Sequence, residues 1–152
     1  MPEALTELSG LAASRRHAGI YWAHNDSGNP FELFALREDG SIVARFPVTG
    51  ETQRDIEDIA VAPCGKPGGT CIYMADIGDN RESHAVSTIW RLHEPENLQS
   101  APISAERLPF RFVDGSHNCE ALLVEPATMR FFVITKTYAS LGKVYRIDGL
   151  GE

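Results

Sequence analysis

Five residues of this chain combine the donor chemistry and the placement that a hard cation requires: Asn25, Glu57, Asp76, Asn80 and Glu120. All offer carboxylate or amide oxygens, the donors from which Ca²⁺ assembles about six to eight ligands. Glu57 stands in Ile56-Glu57-Asp58-Ile59-Ala60, and Glu120 in Cys119-Glu120-Ala121-Leu122-Leu123, the same place in two matching phrases. The amides and Asp76 fall in two further matching clusters, His24-Asn25-Asp26-Ser27-Gly28-Asn29 and Asp76-Ile77-Gly78-Asp79-Asn80-Arg81. Like-placed carboxylates repel unless a cation, a proton or backbone donors compensate them. The plainer alternative is that Glu57 and Glu120 accept hydrogen bonds from neighbouring backbone, and that Asp, Asn and Gly simply form turns. The clusters are not EF-hands, because the loop of about twelve residues and its terminal Glu are missing.

Other reactive types carry weaker signals. His24 and His117 fall at loop–strand junctions near the same end and are the candidates for proton transfer; His17, His84 and His93 read as peripheral. No His-x-x-x-His zinc pair occurs. Ser27 lacks the Gly-x-Ser-x-Gly elbow of a serine nucleophile. Lys136 suits an anionic ligand, or simply an exposed strand end. Trp22, Trp90, Phe31, Phe34, Phe131 and Phe132 read as packing between sheets rather than a ligand cage. Cys64 and Cys71 flank the turn-rich Gly65-Lys66-Pro67-Gly68-Gly69-Thr70, which brings them within disulfide range if the flanking segments pair as antiparallel strands. Two unrelated reduced thiols are the alternative. Cys119 reads as a small buried residue, not a nucleophile.

The elements that must position these residues are read from a phrase that occurs three times: Leu8-Ser9-Gly10-Leu11-Ala12, Ile56-Glu57-Asp58-Ile59-Ala60 and Cys119-Glu120-Ala121-Leu122-Leu123. Alignment on Leu11, Ile59 and Leu122 spaces the units by 48 and 63 residues. The longer second unit holds an insertion around Glu94 to Ser104, where a single helical turn is the one departure from strand expected. Strands are expected near 10–14, 20–25, 31–37 and 42–48; near 56–62, 71–77, 87–93 and 106–113; and near 119–125, 130–136 and 143–148. Glu38-Asp39-Gly40 marks a hairpin. Short strands repeating every 40–50 residues or so indicate an all-β fold, a β-propeller of about three four-stranded blades near 5–50, 51–115 and 116–152, forming one domain over 1–152. Propellers typically close with about four to eight blades. The expectation is therefore a piece of a longer chain, favoured by the missing fourth strand of unit three, or a homodimer completing a six-bladed ring.

Bulk properties exclude several classes. The chain has 152 residues, 43% hydrophobic and 23% charged, as in a soluble globular domain. A net charge of −7 excludes the basic patch of a nucleic-acid binder. No apolar run approaches the ~20 residues of a membrane span. The opening Met1-Pro2-Glu3-Ala4-Leu5 has neither the basic nor the apolar region of a signal peptide. A disulfide nevertheless points to an extracytoplasmic or secreted setting, with the cytoplasm as alternative.

The runs Ser9-Gly10-Leu11-Ala12, His24-Asn25-Asp26-Ser27-Gly28, Asp58-Ile59-Ala60, Ala75-Asp76-Ile77-Gly78-Asp79-Asn80 and Glu120-Ala121-Leu122-Leu123 resemble those of an uncharacterised bacterial group of usually secreted β-propeller proteins, about twice this length. The Asp76 to Asn80 run is the most specific part. More distantly, the architecture is similar to calcium-dependent propellers: regucalcin-like lactonases, paraoxonase and alkaline phytases. Those likenesses imply a channel in which Glu57, Asp76, Asn80 and Glu120, with Asn25, hold calcium; fold alone does not imply the reaction. The first expectation is an extracytoplasmic module without catalysis, binding a divalent cation at a mouth built from Asn25, Asp26, Glu57, Asp58, Asp76, Asp79, Asn80 and Glu120. A calcium-dependent hydrolase of phosphoesters or lactones, and a scaffold binding a protein or peptide, are the alternatives.

Overall fold

β-branched and aromatic residues in short alternating runs favour the pleated backbone over the helix. Among the residues described by the computed structural model, 4–65, 68–138 and 141–150, all regular elements are strands. The first four are β1 (Leu8–Ala13), β2 (Ile20–Asn25), β3 (Glu32–Arg37) and β4 (Ile42–Pro47). Next come β5 (Ile56–Pro63), β6 (Thr70–Asp76), β7 (Ser87–His93) and β8 (Glu106–Phe110), then β9 (Cys119–Glu125), β10 (Arg130–Thr135) and β11 (Val144–Ile147). Each strand pairs antiparallel with its predecessor in three separate sheets, β1-β2-β3-β4, β5-β6-β7-β8 and β9-β10-β11. The fold is all-β. The expected strands are present, with β1 starting earlier at Leu8 and β8 ending earlier at Phe110. At the expected hairpin, Gly40 takes φ +81° and its amide donates to Arg37 O, while Asp39 Oδ1 accepts the Ser41 amide.

The insertion between β7 and β8 holds no helical turn. It crosses instead to the first sheet, where Ile103 bridges Val48, its amide donating to Pro47 O and its carbonyl accepting from Thr49 N. Backbone groups beside the edge strand β4 thus find partners that a lone helical turn would not have supplied.

Side-chain alternation gives each sheet two faces, and successive sheets stack face to face. Trp22, Leu33, Ala35 and Phe46 of the first sheet pack against Ile59, Ile72, Met74 and Trp90 of the second. The opposite face of the second sheet, with Tyr73, Ala75 and Ile89, packs against Leu122, Phe131 and Val133 of the third. Ring contacts join the layers: Phe31 with Trp90 at 5.5 Å and Tyr73 with Phe131 at 5.0 Å between centroids. Glu94, at the end of β7, also ties the first two sheets, accepting from Trp22 Nε1 (2.8 Å) and Ser14 Oγ (2.6 Å). Burial pushes its carboxyl pKa up, but these donors outweigh it and hold the group below the usual range.

Cys64 and Cys71 form the expected disulfide, with Cα atoms 4.9 Å apart. It links the loop after β5 to β6, its paired neighbour. Cys119 is a buried free thiol whose pKa burial pushes up to about 12, so it is held as the thiol. Among the described residues no helix is long and apolar enough to cross a membrane.

Candidate metal centre

The leading strands β1, β5 and β9 run side by side, and each carries one extra residue at the same place. Ladder partners step from Leu8↔Asn25 to Gly10↔His24, from Ile56↔Asp76 to Asp58↔Ala75, and from Cys119↔Thr135 to Ala121↔Ile134. The residues left over are Ser9, Glu57 and Glu120. A bulge re-aims its side chain out of the ladder. Here the bulges fall on the two glutamates singled out by the repeat, and on a serine whose Oγ donates to Glu57 O (3.2 Å).

The segments around these bulges repeat as well. Glu7, Asp55 and Asn118 each lie two residues before a bulge, and each backbone carbonyl accepts from the loop beyond the next strand: Asp26 N (2.8 Å), Gly78 N (3.1 Å) and Lys136 N (2.9 Å), respectively. Those loops are thereby drawn over the ends of the leading strands. One carboxylate oxygen from each of Asp26, Asp55 and Glu57 lies within 4.8 Å of the others. Ser27 bonds the Asp55 carboxylate, and its amide donates to Asp26 Oδ1 (2.6 Å). Gln53 Nε2 donates to Asn29 O (2.9 Å), fastening the first sheet's loop to the segment before β5.

Gly78 forms the wall of this cradle. A Cβ there would collide with the Asp55 carboxylate and with Glu57 Oε1, so only glycine leaves both carboxylates their place. Beyond it, a groove of about 210 Å³ is lined by Ser27, Arg54, Asp55, Gly78, Asp79, Asn80, Arg81 and His84.

The electrostatics follow from the crowding. Burial, then the charges of Glu120, Asp55 and Asp26, push Glu57 up to about 8, against a smaller opposing pull from Lys136. Burial also raises Asp55, with Asp26 and Asp76 adding to it and Ser27 opposing. The donor set is three hard oxygens with excess negative charge beside a groove, which fits a divalent cation completed by water.

The other residues indicated by the repeat lie around this centre in different bonds. Glu120 pairs with Lys136 at 3.0 Å. Asp76 is buried and accepts the Arg54 and Asp55 amides (3.0 and 2.9 Å) and Trp90 Nε1 (3.2 Å). It holds the Asp55 segment in position. Asn25, its counterpart on β2, accepts Glu7 N and donates to Ala4 O. Asn80 Oδ1 accepts from Asn118 Nδ2 at 3.3 Å. Asp58 Oδ2 accepts the Leu122 amide at 2.7 Å, stitching the second sheet to the third. Asp79 is buried, bound by the His84 amide (2.7 Å) and by His84 Nδ1 (2.9 Å).

His24 is buried with its Nε2 unpartnered and its Nδ1–H donating to Asn25 O, and burial lowers its pKa. His117 belongs to another cluster, with Asp114 (2.8 Å) and Tyr145 (2.9 Å). Asp55 is the member of this carboxylate group that the sequence reading did not single out; the available signal was an acid two residues before Glu57, at the position of Glu7 and Asn118 in the other units. Comparison with protein-family models and with curated proteins finds no match for this chain.

Proposed function

We propose that the chain is a β-propeller module whose three sheets are blades fanned about an axis lined by β1, β5 and β9, and that it binds one divalent cation, Ca²⁺, at the mouth of that axis. The convergence of Asp26, Asp55 and Glu57 carries the reading: three carboxylates held within reach of one another against a glycine wall, with one destabilised as an anion until a cation arrives. Glu120 stands next to Glu57 electrostatically and is partly neutralised by Lys136. Metal binding here is a binding function, with water filling the remaining positions. The disulfide suits an oxidising, extracytoplasmic setting, where such a bond persists.

Calorimetric titration of the metal-stripped, oxidised protein with CaCl₂ tests this. One site per chain is expected, with a rise in melting temperature under saturating calcium. Asp55→Asn and Glu57→Gln should each abolish the heat while leaving the fold intact. Absence of both heat and a thermal shift at millimolar calcium in the wild type would refute the proposal.

A further inference from the structure

The second sheet carries a different donor set at its other end. Ile56 pairs with Asp76 beside the carboxylate group, whereas Pro63 pairs with Thr70 at the opposite end of the same two strands. There Cys64 follows β5, Cys71 is the second residue of β6, and His93 is the last of β7. Cys71 stands directly across the ladder from His93. The Cys64 amide donates to Gly69 O (3.0 Å), which closes the chain between the two cysteines. Gly68 and Gly69 take φ of +118° and +95° there, a backbone that any side chain would strain. Three paired strands thus fix the three donors.

His93 Nδ1 lies 3.5 Å from Cys64 Sγ and 3.8 Å from Cys71 Sγ, and the three atoms fall within 4.8 Å of one another. A tetrahedral zinc with bonds of about 2.3 Å to sulfur and about 2.0–2.1 Å to nitrogen separates those two donor types by about 3.5 Å. Both nitrogen–sulfur edges of such a site are therefore already in place. The sulfur–sulfur edge is not, because the two atoms are bonded. Once cleaved they need to part to about 3.8 Å, which a side-chain rotation supplies. Both cysteines are buried, while His93 is exposed. Two thiolates released in that setting require a compensating charge. Soft sulfur with imidazole selects zinc over the hard cations that suit carboxylates. A groove of about 190 Å³, with Cys64, Tyr73, Arg91 and Met129 in its lining, gives a small reductant a way to the Cys64 sulfur.

We propose that reduction turns this disulfide into a zinc site, with Cys64 Sγ, Cys71 Sγ and His93 Nδ1 as ligands and water at the fourth position. A dithiol supplies the electrons. Its thiolate attacks Cys64 Sγ and expels Cys71 as a thiolate; its second thiolate then attacks the mixed disulfide and releases Cys64. The dithiol leaves as a cyclic disulfide, its two protons pass to the cysteines, and zinc displaces them to solvent. This end of the second sheet is then clamped by a covalent bond in oxidising surroundings and by a metal ion in reducing ones. None of the three ligands belongs to the carboxylate group at the other end of the sheet.

Titration with ZnCl₂ and with CoCl₂ tests this, comparing the oxidised chain with the chain reduced by dithiothreitol and freed of it in the absence of air. The reduced chain should take up one more zinc than the oxidised chain, and its melting temperature should rise as it does so. Cobalt should give a near-ultraviolet sulfur-to-metal charge-transfer band in the reduced chain alone. Cys64→Ser and Cys71→Ser should each abolish that band. His93→Ala, at an exposed position, should keep the disulfide when oxidised and weaken zinc binding by at least about tenfold when reduced. Equal zinc uptake by the two redox forms overturns the proposal, since the ion then sits elsewhere. So does an unchanged affinity in His93→Ala, which would mean that the cysteines act without the imidazole. So does a reduced chain that loses the circular dichroism of its strands and does not regain it with zinc.

Discussion

At Glu57 partial burial and three negative neighbours act in one direction, and that direction sets a pH signature. The folded pKa, about 8, lies above the ordinary 4.5, so the folded state holds a proton that the unfolded chain releases. Stability from this group is intact below about pH 4.5 and declines as pH rises to about 8. The wild type without metal should therefore lose melting temperature relative to Glu57→Gln over that interval, and saturating calcium should raise the wild type while leaving Glu57→Gln unchanged. An identical pH profile for the two proteins would contradict the assignment. Calcium affinity should rise over the same interval, with proton release on binding measurable in buffers of different ionisation enthalpy. His24 acts in the opposite sense: burial lowers its pKa, so its contribution is present above the ordinary 6.5 and is lost as pH falls through the folded value. Glu57 and Glu120 were legible as a pair because the repeat put them in register. Asp55 was not, because its role depends on a backbone bond to Gly78 that no local pattern announces.

At the scale of the element, three bulges convert ordinary strands into a directed site, and each support can be tested. Gly78→Ala should remove calcium binding while the sheets persist, since the new methyl displaces the Asp55 and Glu57 carboxylates and leaves the ladder intact. Gly10→Ala should be worse for the fold. Its Cβ would strike the buried His24 ring and come within 2.9 Å of Ile59 Cγ2, an overpacking that costs about 1–3 kcal/mol in chemical denaturation. Asp58→Ala should cost about 1–3 kcal/mol, because the Leu122 amide loses its acceptor between two sheets. Reduction of Cys64–Cys71, which are seven residues apart, should lower stability by about 2 kcal/mol on the chain-entropy model, without loss of calcium binding. The strands themselves were legible from alternation and turn residues. The bulges were not, because a one-residue slip between partners is a property of the pair, and neither strand encodes it alone.

For the whole molecule, the middle sheet is covered on both faces by its neighbours, and the first sheet carries a further small cluster where Leu5 packs on Ala23, Phe34 and Leu36, so stability is distributed along the stack from one interface to the next. Substituting Met74 by Ala, deep in the first interface, should cost about 2–5 kcal/mol, whereas Leu11→Ala should leave the isolated chain nearly unchanged; urea midpoints compare them directly. Composition, the threefold phrase and the turn residues determined by themselves that the chain is all-β, in three antiparallel units, because strand period and turn chemistry are local properties; they left the Cys64 and Cys71 pair open between a disulfide and two thiols, and the structure joins them. Only the tertiary structure decided which acids meet. Asp76 was drawn into a bracket of amides and Asp58 into a stitch between sheets, while Asp26 was brought from the first sheet's loop to Asp55 and Glu57, which lie two residues apart. The reason is physical: a carboxylate is equally at home as a ligand, a cap or an acceptor, and its role is settled by whichever donors and charges the fold places within a few ångströms of it.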